Sequence, residues 1–172
     1  MSVADLLTDA FGRVREVVHE AVDGLSPDDL AYRVEPDANS IAWLIWHLAR
    51  VQDDHVAEVA GIDQVWTTGG WVDRYGLPFE PYDTGYGHNS AQVGALRAVS
   101  ADLLTDYYDA VYEQTIKYVA GLNDADLPRI VDERWEPPVT LGVRLVSVIS
   151  DGLQHAGQAA FVRGIRSRGS GH

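Results

Sequence analysis

The stretch Leu141–Arg166, LGVRLVSVISDGLQHAGQAAFVRGIR, reads as one long final helix and carries Asp151 and His155 four residues apart. At about 100° per residue this spacing leaves the two side chains roughly 40° apart on one face, a single turn from each other. Leu141, Leu145, Val148, Gly152, Ala159 and Val162 share that face and form an apolar stripe of period 3.6 that should point into a core. A carboxylate and an imidazole inside such a stripe are costly to bury without a partner. The pair therefore calls for a metal ion or a hydrogen-bond network, and the rest of the chain can be searched for what completes it.

Composition narrows that search. The 172 residues fit one domain, expected over 1–172, and suffice to bury a core without disulfide or metal staples. There is no cysteine, which excludes thiolate zinc sites and a cysteine nucleophile, so any thiol chemistry must use a thiol brought by a substrate. Asp and Glu outnumber Lys and Arg two to one, giving a net charge of −13 that repels a phosphate backbone, so nucleic acid is not an expected partner. The first residues, MSVADLLTDAFGRVREVVHEAV, lack the basic start and apolar run of a signal peptide, and charges interrupt every apolar run before membrane-spanning length. A cytoplasmic location with no membrane association is the expectation.

From Val3 to about Val22, apolar residues at Val3, Leu6, Leu7, Ala10, Val14, Val17, Val18 and Ala21 predict a first amphipathic helix. Ser26 and Pro27 start a short turn. Asn39 or Ser40 caps the second helix, SIAWLIWHLARVQDDHVAEVA, which Gly61 closes. Its stripe of Ile41, Leu44, Leu48 and Val51 includes His47, whereas His55 lies roughly 80° away from His47. Residues 62–89 combine frequent Gly and Pro with Trp66, Trp71, Tyr75, Phe79, Tyr82 and Tyr86 and show no periodicity, so they read as a long loop. A short helix at Ser90–Leu96 and a third long helix from Ser100 to Ala120 follow, the latter with Leu104, Tyr108, Val111, Thr115 and Tyr118 in register. Pro128, Pro137 and Pro138 mark the return to the final helix, and the RSRGSGH tail is expected to fray.

Four long amphipathic helices predict an all-α four-helix bundle, and the long crossover between helices two and three allows those two to run parallel. Helices two and four then bring His47 to Asp151 and His155. Two imidazoles and one carboxylate suit zinc first, with nickel, iron or manganese as alternatives; the bland alternative is a pair of core histidines hydrogen-bonded to Asp151. Asp54, almost in line with His47, is either a solvated carboxylate or a hydrogen-bond partner behind it, and Gln158 is a supporting residue rather than a ligand. His19 reads as exposed, His55 as peripheral, His88 as a loop residue and His172 as terminal, none of them a ligand.

The segments SIAWLIWHLARVQDDH and DGLQHAGQ resemble the DinB-like metalloprotein superfamily, in its branch of mycothiol-dependent maleylpyruvate isomerase-type and thiol S-transferase proteins. The resemblance implies a four-helix bundle with parallel helices two and three and a central divalent metal. Carried across by motif, the helix-two ligand of the Trp46-His47-Leu48 segment falls on His47, the ligand before Ala-Gly on His155, and the ligand one turn earlier on Asp151, where relatives commonly have His or Glu. The bifunctional isomerases add a second C-terminal domain that this sequence does not contain, which counts against isomerisation.

Three functions compete. In the first, the metal binds a low-molecular-weight thiol, lowers its pKa and presents it to an electrophile, for transfer or isomerisation. In the second, the metal activates water for hydrolysis. The third is a non-catalytic bundle that forms a homodimer and binds a small molecule or protein through its aromatic loop, with Trp43 and Trp46 serving an interface or the core. Arg74 and Arg97 are candidates for holding an anionic substrate. Trp66, Trp71, Tyr75 and Tyr82 are expected to wall the entrance to the metal pocket.

Overall fold

Three of the four long helices begin where a serine hydroxyl takes an amide that the helix itself leaves without an acceptor, and the last begins where the Thr140 hydroxyl accepts Val143 N–H. In the computed structural model, which describes residues 1–169, Ser2 accepts from Asp5 N–H, Ser40 from Trp43 N–H and Ser100 from Leu103 N–H. These caps open α1 (Val3–Val22), α3 (Ile41–Ala60) and α7 (Ala101–Val119). The Ser26–Asp29 capping box opens the single turn α2 (Pro27–Leu30), with proline at its first position. α3 ends at Gly61, whose φ of 66° belongs to the left-handed region that glycine enters without steric cost. The final helix, α8, runs Leu141–Gly169, so it includes the start of the tail expected to fray.

Side-chain contacts fix the helix directions. Arg50 donates to Tyr107 and Tyr118 donates to the Val59 carbonyl, so α3 and α7 run parallel. Gly152 faces Val14, and Arg163 reaches the carbonyls of Ala21 and Asp23, so α1 and α8 also run parallel. His19 against Asp109 with Gly12 against Tyr112, and His47 against His155 with Glu58 against Arg144, make the two parallel pairs antiparallel to each other. The result is an up-down-down-up bundle ordered α1, α8, α3, α7 around its axis.

α3 is the central element. Fifteen of its twenty residues are buried, Trp43 and Trp46 among them, so the stripe read from the sequence was too narrow and neither tryptophan is an interface residue. Leu141, Leu145, Val148, Gly152, Ala159 and Val162 on α8 are all buried as their spacing predicts, and Arg144 joins them.

The connector 62–100 holds the helical turns α4 (Val65–Thr68), α5 (Trp71–Tyr75) and α6 (Ser90–Val93), where the sequence suggested mostly loop. Their cause is tertiary. The fully buried Asp53 carboxylate accepts Val65 N–H at 2.9 Å, Trp66 N–H at 2.8 Å and the Tyr107 hydroxyl at 2.9 Å, and so caps α4 from a distant helix. Burial raises the Asp53 pKa, and those three donors work against the rise. Between α7 and α8 a two-stranded antiparallel sheet, β1 (Ile130–Asp132) and β2 (Val139–Thr140), replaces the expected irregular connector. Arg144 anchors it by donating to Asp132 at 3.2 Å while also reaching Glu58 and His55 on α3.

Candidate metal centre

Antiparallel packing of α3 on α8 brings His47, Asp151 and His155 together, with one ligand atom from each residue all within 4.8 Å of one another. The imidazoles meet edge to face with centroids 4.9 Å apart, and His155 Nε2 lies 3.4 Å from Asp151 Oδ1. His47 is buried; Asp151 and His155 are partly exposed, so the cluster is open on the α8 side.

The hydrogen bonds behind the rings decide which nitrogens are available. His47 Nδ1–H donates to the Thr84 carbonyl, which can only accept. His155 Nδ1–H donates to Gln158 Oε1 at 2.9 Å. Both Nε2 lone pairs are thereby left for the space shared with Asp151, the arrangement by which metal-binding histidines are oriented. Asp151 Oδ2 is buried without a hydrogen-bond partner among the described residues. A lone buried carboxylate oxygen costs about 1–3 kcal/mol or more, and a cation beside it would remove that cost. Two imine nitrogens and a carboxylate oxygen, each with a free lone pair, therefore fit a divalent ion.

Burial pushes the His47 pKa down, which the hydrogen bond to Thr84 opposes and the neighbouring His155 reinforces. His155 moves up, chiefly through its contact with Asp151, with burial working against the rise. Trp43 stacks on His47 with centroids 4.5 Å apart and 13° between planes, and presents its edge to His155 at 6.5 Å. The aromatic wall of the site is thus a residue of α3.

The loop aromatics lie elsewhere. Trp66, Trp71 and Tyr75 contact Tyr107, and Trp66 also meets Trp46, so they fill the core between α3 and α7; Tyr82 and Tyr86 are exposed. The expectation that they wall the pocket is corrected: side chains of this size gain more by packing into the bundle. Asp54 accepts from Gln64 at 2.7 Å and is not the partner behind His47. Gln158 does support His155, as its place one turn along suggested. His55 accepts from Arg144 at 2.9 Å and stays outside the triad, and His19 is half-buried against Asp109 at 2.8 Å instead of exposed. Arg74 lies over the Trp71 ring and faces Asp106, and Arg97 donates to the Gly94 carbonyl. His172 lies outside the described residues.

Two features of the site escaped the sequence reading. One is the Thr84 carbonyl, a backbone atom without a residue signature. The other is His88, buried between Trp46 and Phe79 with both ring nitrogens hydrogen-bonded. The glycines at 85 and 87 beside it were a visible sign of a tight turn.

Comparison with known proteins agrees with this architecture. The chain is similar to a conserved protein from Enterococcus faecalis known from its crystal structure, with 30% sequence identity and a TM-score of 0.87 over 95% of this chain and 96% of that one. No curated protein matches it. The family model described as mycothiol-S-transferase matches residues 6–167. With nearly its whole length covered by that match, the chain belongs to the mycothiol-S-transferase family of DinB-like four-helix bundles.

Proposed function

We propose that the protein is a metal-dependent S-transferase in which His47, Asp151 and His155 hold a divalent ion, zinc before nickel, iron or manganese, and a low-molecular-weight thiol of the mycothiol type is the nucleophile. The observation that carries this reading is the convergence of three ligand atoms within 4.8 Å, with both histidine Nδ1 atoms already engaged. A divalent ion at this point supplies the positive charge that keeps a thiol ionised near neutral pH. The chain has no cysteine, so the sulfur must arrive with the substrate.

The protein's own groups orient and shield. The Thr84 carbonyl and the Trp43 ring hold His47, and Gln158 holds His155. A groove of about 480 Å³ between the start of α3 and the second half of α8 is lined by Leu44, Gly157, Gln158, Phe161 and Val162. Gln158 both lines this groove and holds His155, and the apolar walls suit the carbon skeleton of an electrophile. Sulfur attacks the electrophilic carbon, an S–C bond forms, and the leaving group departs with the bonding pair; the thiol proton is released to solvent. Among the described residues no helix is long and apolar enough to cross a membrane. The reading places the protein in the cytoplasm, where such thiols are kept reduced.

The test is metal content by elemental analysis together with turnover of a panel of electrophiles with and without added thiol. Stoichiometric metal and strictly thiol-dependent turnover are expected. Turnover that proceeds equally without thiol would transfer the site to metal-assisted hydrolysis.

A further inference from the structure

We infer that Asp83 and His88 are positioning residues that aim His47 at the metal by locking the Thr84 carbonyl, an inference that rests on the metal-binding reading above. Asp83 sits immediately before Thr84 and has both carboxylate oxygens committed: Oδ1 accepts Gly85 N–H at 2.7 Å and Oδ2 accepts His88 Nε2–H at 3.0 Å. With its proton on Nε2, His88 accepts Trp43 Nε1–H at Nδ1, 3.1 Å away. Trp43 is the ring stacked on His47, so the network that begins at the Thr84 turn closes on the same imidazole from its other side. The Asp83 carbonyl is in turn held by the buried Arg50 at 3.2 Å.

The turn itself leaves no slack. Gly85 has φ +91°, and a Cβ there would lie 2.9 Å from the Trp46 ring, 3.0 Å from His47 Nδ1 and 3.1 Å from the Trp43 ring. Backbone 84–85 is thus pressed directly onto His47, and what fixes this turn fixes the His47 ring. His88, stacked on Trp46 and packed against the tilted Phe79 ring, has no room to rotate its contacts away.

A carboxylate is required at 83 for a reason that can be tested. It accepts at both oxygens, whereas an amide has one accepting end and one donating end. In Asp83→Asn the amide nitrogen faces either Gly85 N–H or His88 Nε2–H. The second conflict is relieved only if His88 moves its proton to Nδ1, where it meets Trp43 Nε1–H. Every arrangement leaves two donors opposed, and removing the Trp43 donor relieves one of them.

The experiment titrates metal-free protein with Co²⁺ alone. Affinity comes from chelator competition, ligand geometry from the visible absorption bands, and folding from thermal melts. Asp83→Asn should bind Co²⁺ about tenfold or more weakly, with shifted bands, as expected for loss of an outer hydrogen bond to a ligand. Adding Trp43→Phe to Asp83→Asn should recover part of the affinity and the wild-type band shape, which a merely structural role for Asp83 does not predict. Histidine ¹⁵N spectra of the metal-free proteins should show His47 as the Nδ1–H tautomer in wild type and as a mixture in Asp83→Asn. Should Asp83→Asn melt without cooperativity, His88→Phe takes its place: it removes the acceptor for Trp43 Nε1–H and the donor to Asp83, should bind Co²⁺ more weakly with shifted bands, and should recover part of the affinity when Trp43→Phe removes the stranded indole N–H. Wild-type affinity and spectrum in the single variant, or a double variant no better than the single, overturns the inference while leaving the metal site intact. Absence of Co²⁺ binding by wild type overturns the metal reading and this inference with it.

Discussion

Gln158 Oε1 lies 2.9 Å from His155 Nδ1, one turn further along the same helix. The contact holds a partly exposed imidazole with Nε2 toward Asp151 and His47, and the hydrogen bond comes from the same helix. Gln158→Leu shortens the side chain by one atom and removes the acceptor, so His155 can take the other tautomer or rotate. Because Gln158 is exposed, stability should change by no more than about 0.5 kcal/mol. Metal affinity should fall roughly tenfold. Paired melting and metal-competition measurements check both, and unchanged affinity would remove Gln158 from the site.

The three ligands should separate metal retention from folding. His47→Ala and His155→Ala each leave two ligands and should abolish metal retention through a desalting column. Asp151→Ala should weaken binding, with water replacing part of what is lost. In metal-free protein the order of stability differs. His47→Ala opens a cavity and strips the Thr84 carbonyl of its donor, costing about 2 kcal/mol or more. Asp151→Ala removes a buried oxygen that had no partner, so metal-free stability should be unchanged or raised. Retention of full metal content by all three variants would mean that the site is assigned to the wrong residues.

What the sequence reveals follows from which interactions have a period. The α8 stripe from Leu141 to Val162 was legible because burial on one face of a straight helix recurs every 3.6 residues. His47 was legible for the same reason, being in register with Leu44 and Leu48. Arg144 was not: it lies on the buried stripe, but its burial depends on Asp132, Glu58 and His55, which come from other elements. The turn α4 was hidden because its cap, Asp53, is twelve residues before Val65 and belongs to another helix. The short sheet at 130–140 was hidden because runs of three and two residues carry no alternation to read. The Thr84 carbonyl has no side-chain identity at all. Helix faces were readable; contacts made by loops onto those faces were not.

His55 should leave a signature in the pH dependence of stability. Burial lowers its pKa, reinforced by the Arg144 guanidinium, which donates to its Nδ1. The neutral form is therefore favoured in the folded protein, while the unfolded chain titrates near 6.5. A base depressed on folding contributes stability that is complete above about pH 6.5 and is lost as pH falls from there through the folded value, because the unfolded state binds the proton first. His55→Gln keeps an acceptor for Arg144 and cannot titrate. The difference between wild-type and His55→Gln unfolding free energies, measured on metal-free protein from pH 8 to pH 5, should be flat at the top of the range and grow against wild type below about 6.5. A difference that stays constant across the range would show that neither burial nor Arg144 lowers the His55 pKa on folding. Subtracting the variant cancels the contribution of His47, which is depressed for the same first reason.

Gly152, the residue after Asp151, should prove intolerant of even a methyl group. A Cβ at 152 would sit 3.1 Å from Val14 Cγ1, and Val14 is buried in α1, so neither helix can yield without moving the other. Replacing glycine within a helix normally gains about 0.5–1 kcal/mol, whereas forcing an extra methyl into a packed interface costs about 1–3 kcal/mol. The steric cost wins here, and Gly152→Ala should lose about 1 kcal/mol. Displacing α8 from α1 also moves Asp151 relative to His47, which comes from a third helix, so metal affinity should decline with stability. Val14→Ala alone opens a cavity and should cost about 1 kcal/mol or more. In the double variant the two errors fill each other: the new methyl occupies the space that Val14 vacated, and both melting temperature and metal affinity should exceed the sum of the single effects. A strictly additive cycle would mean that α8 slides past α1 without strain, and that the small residue beside Asp151 is incidental to the site.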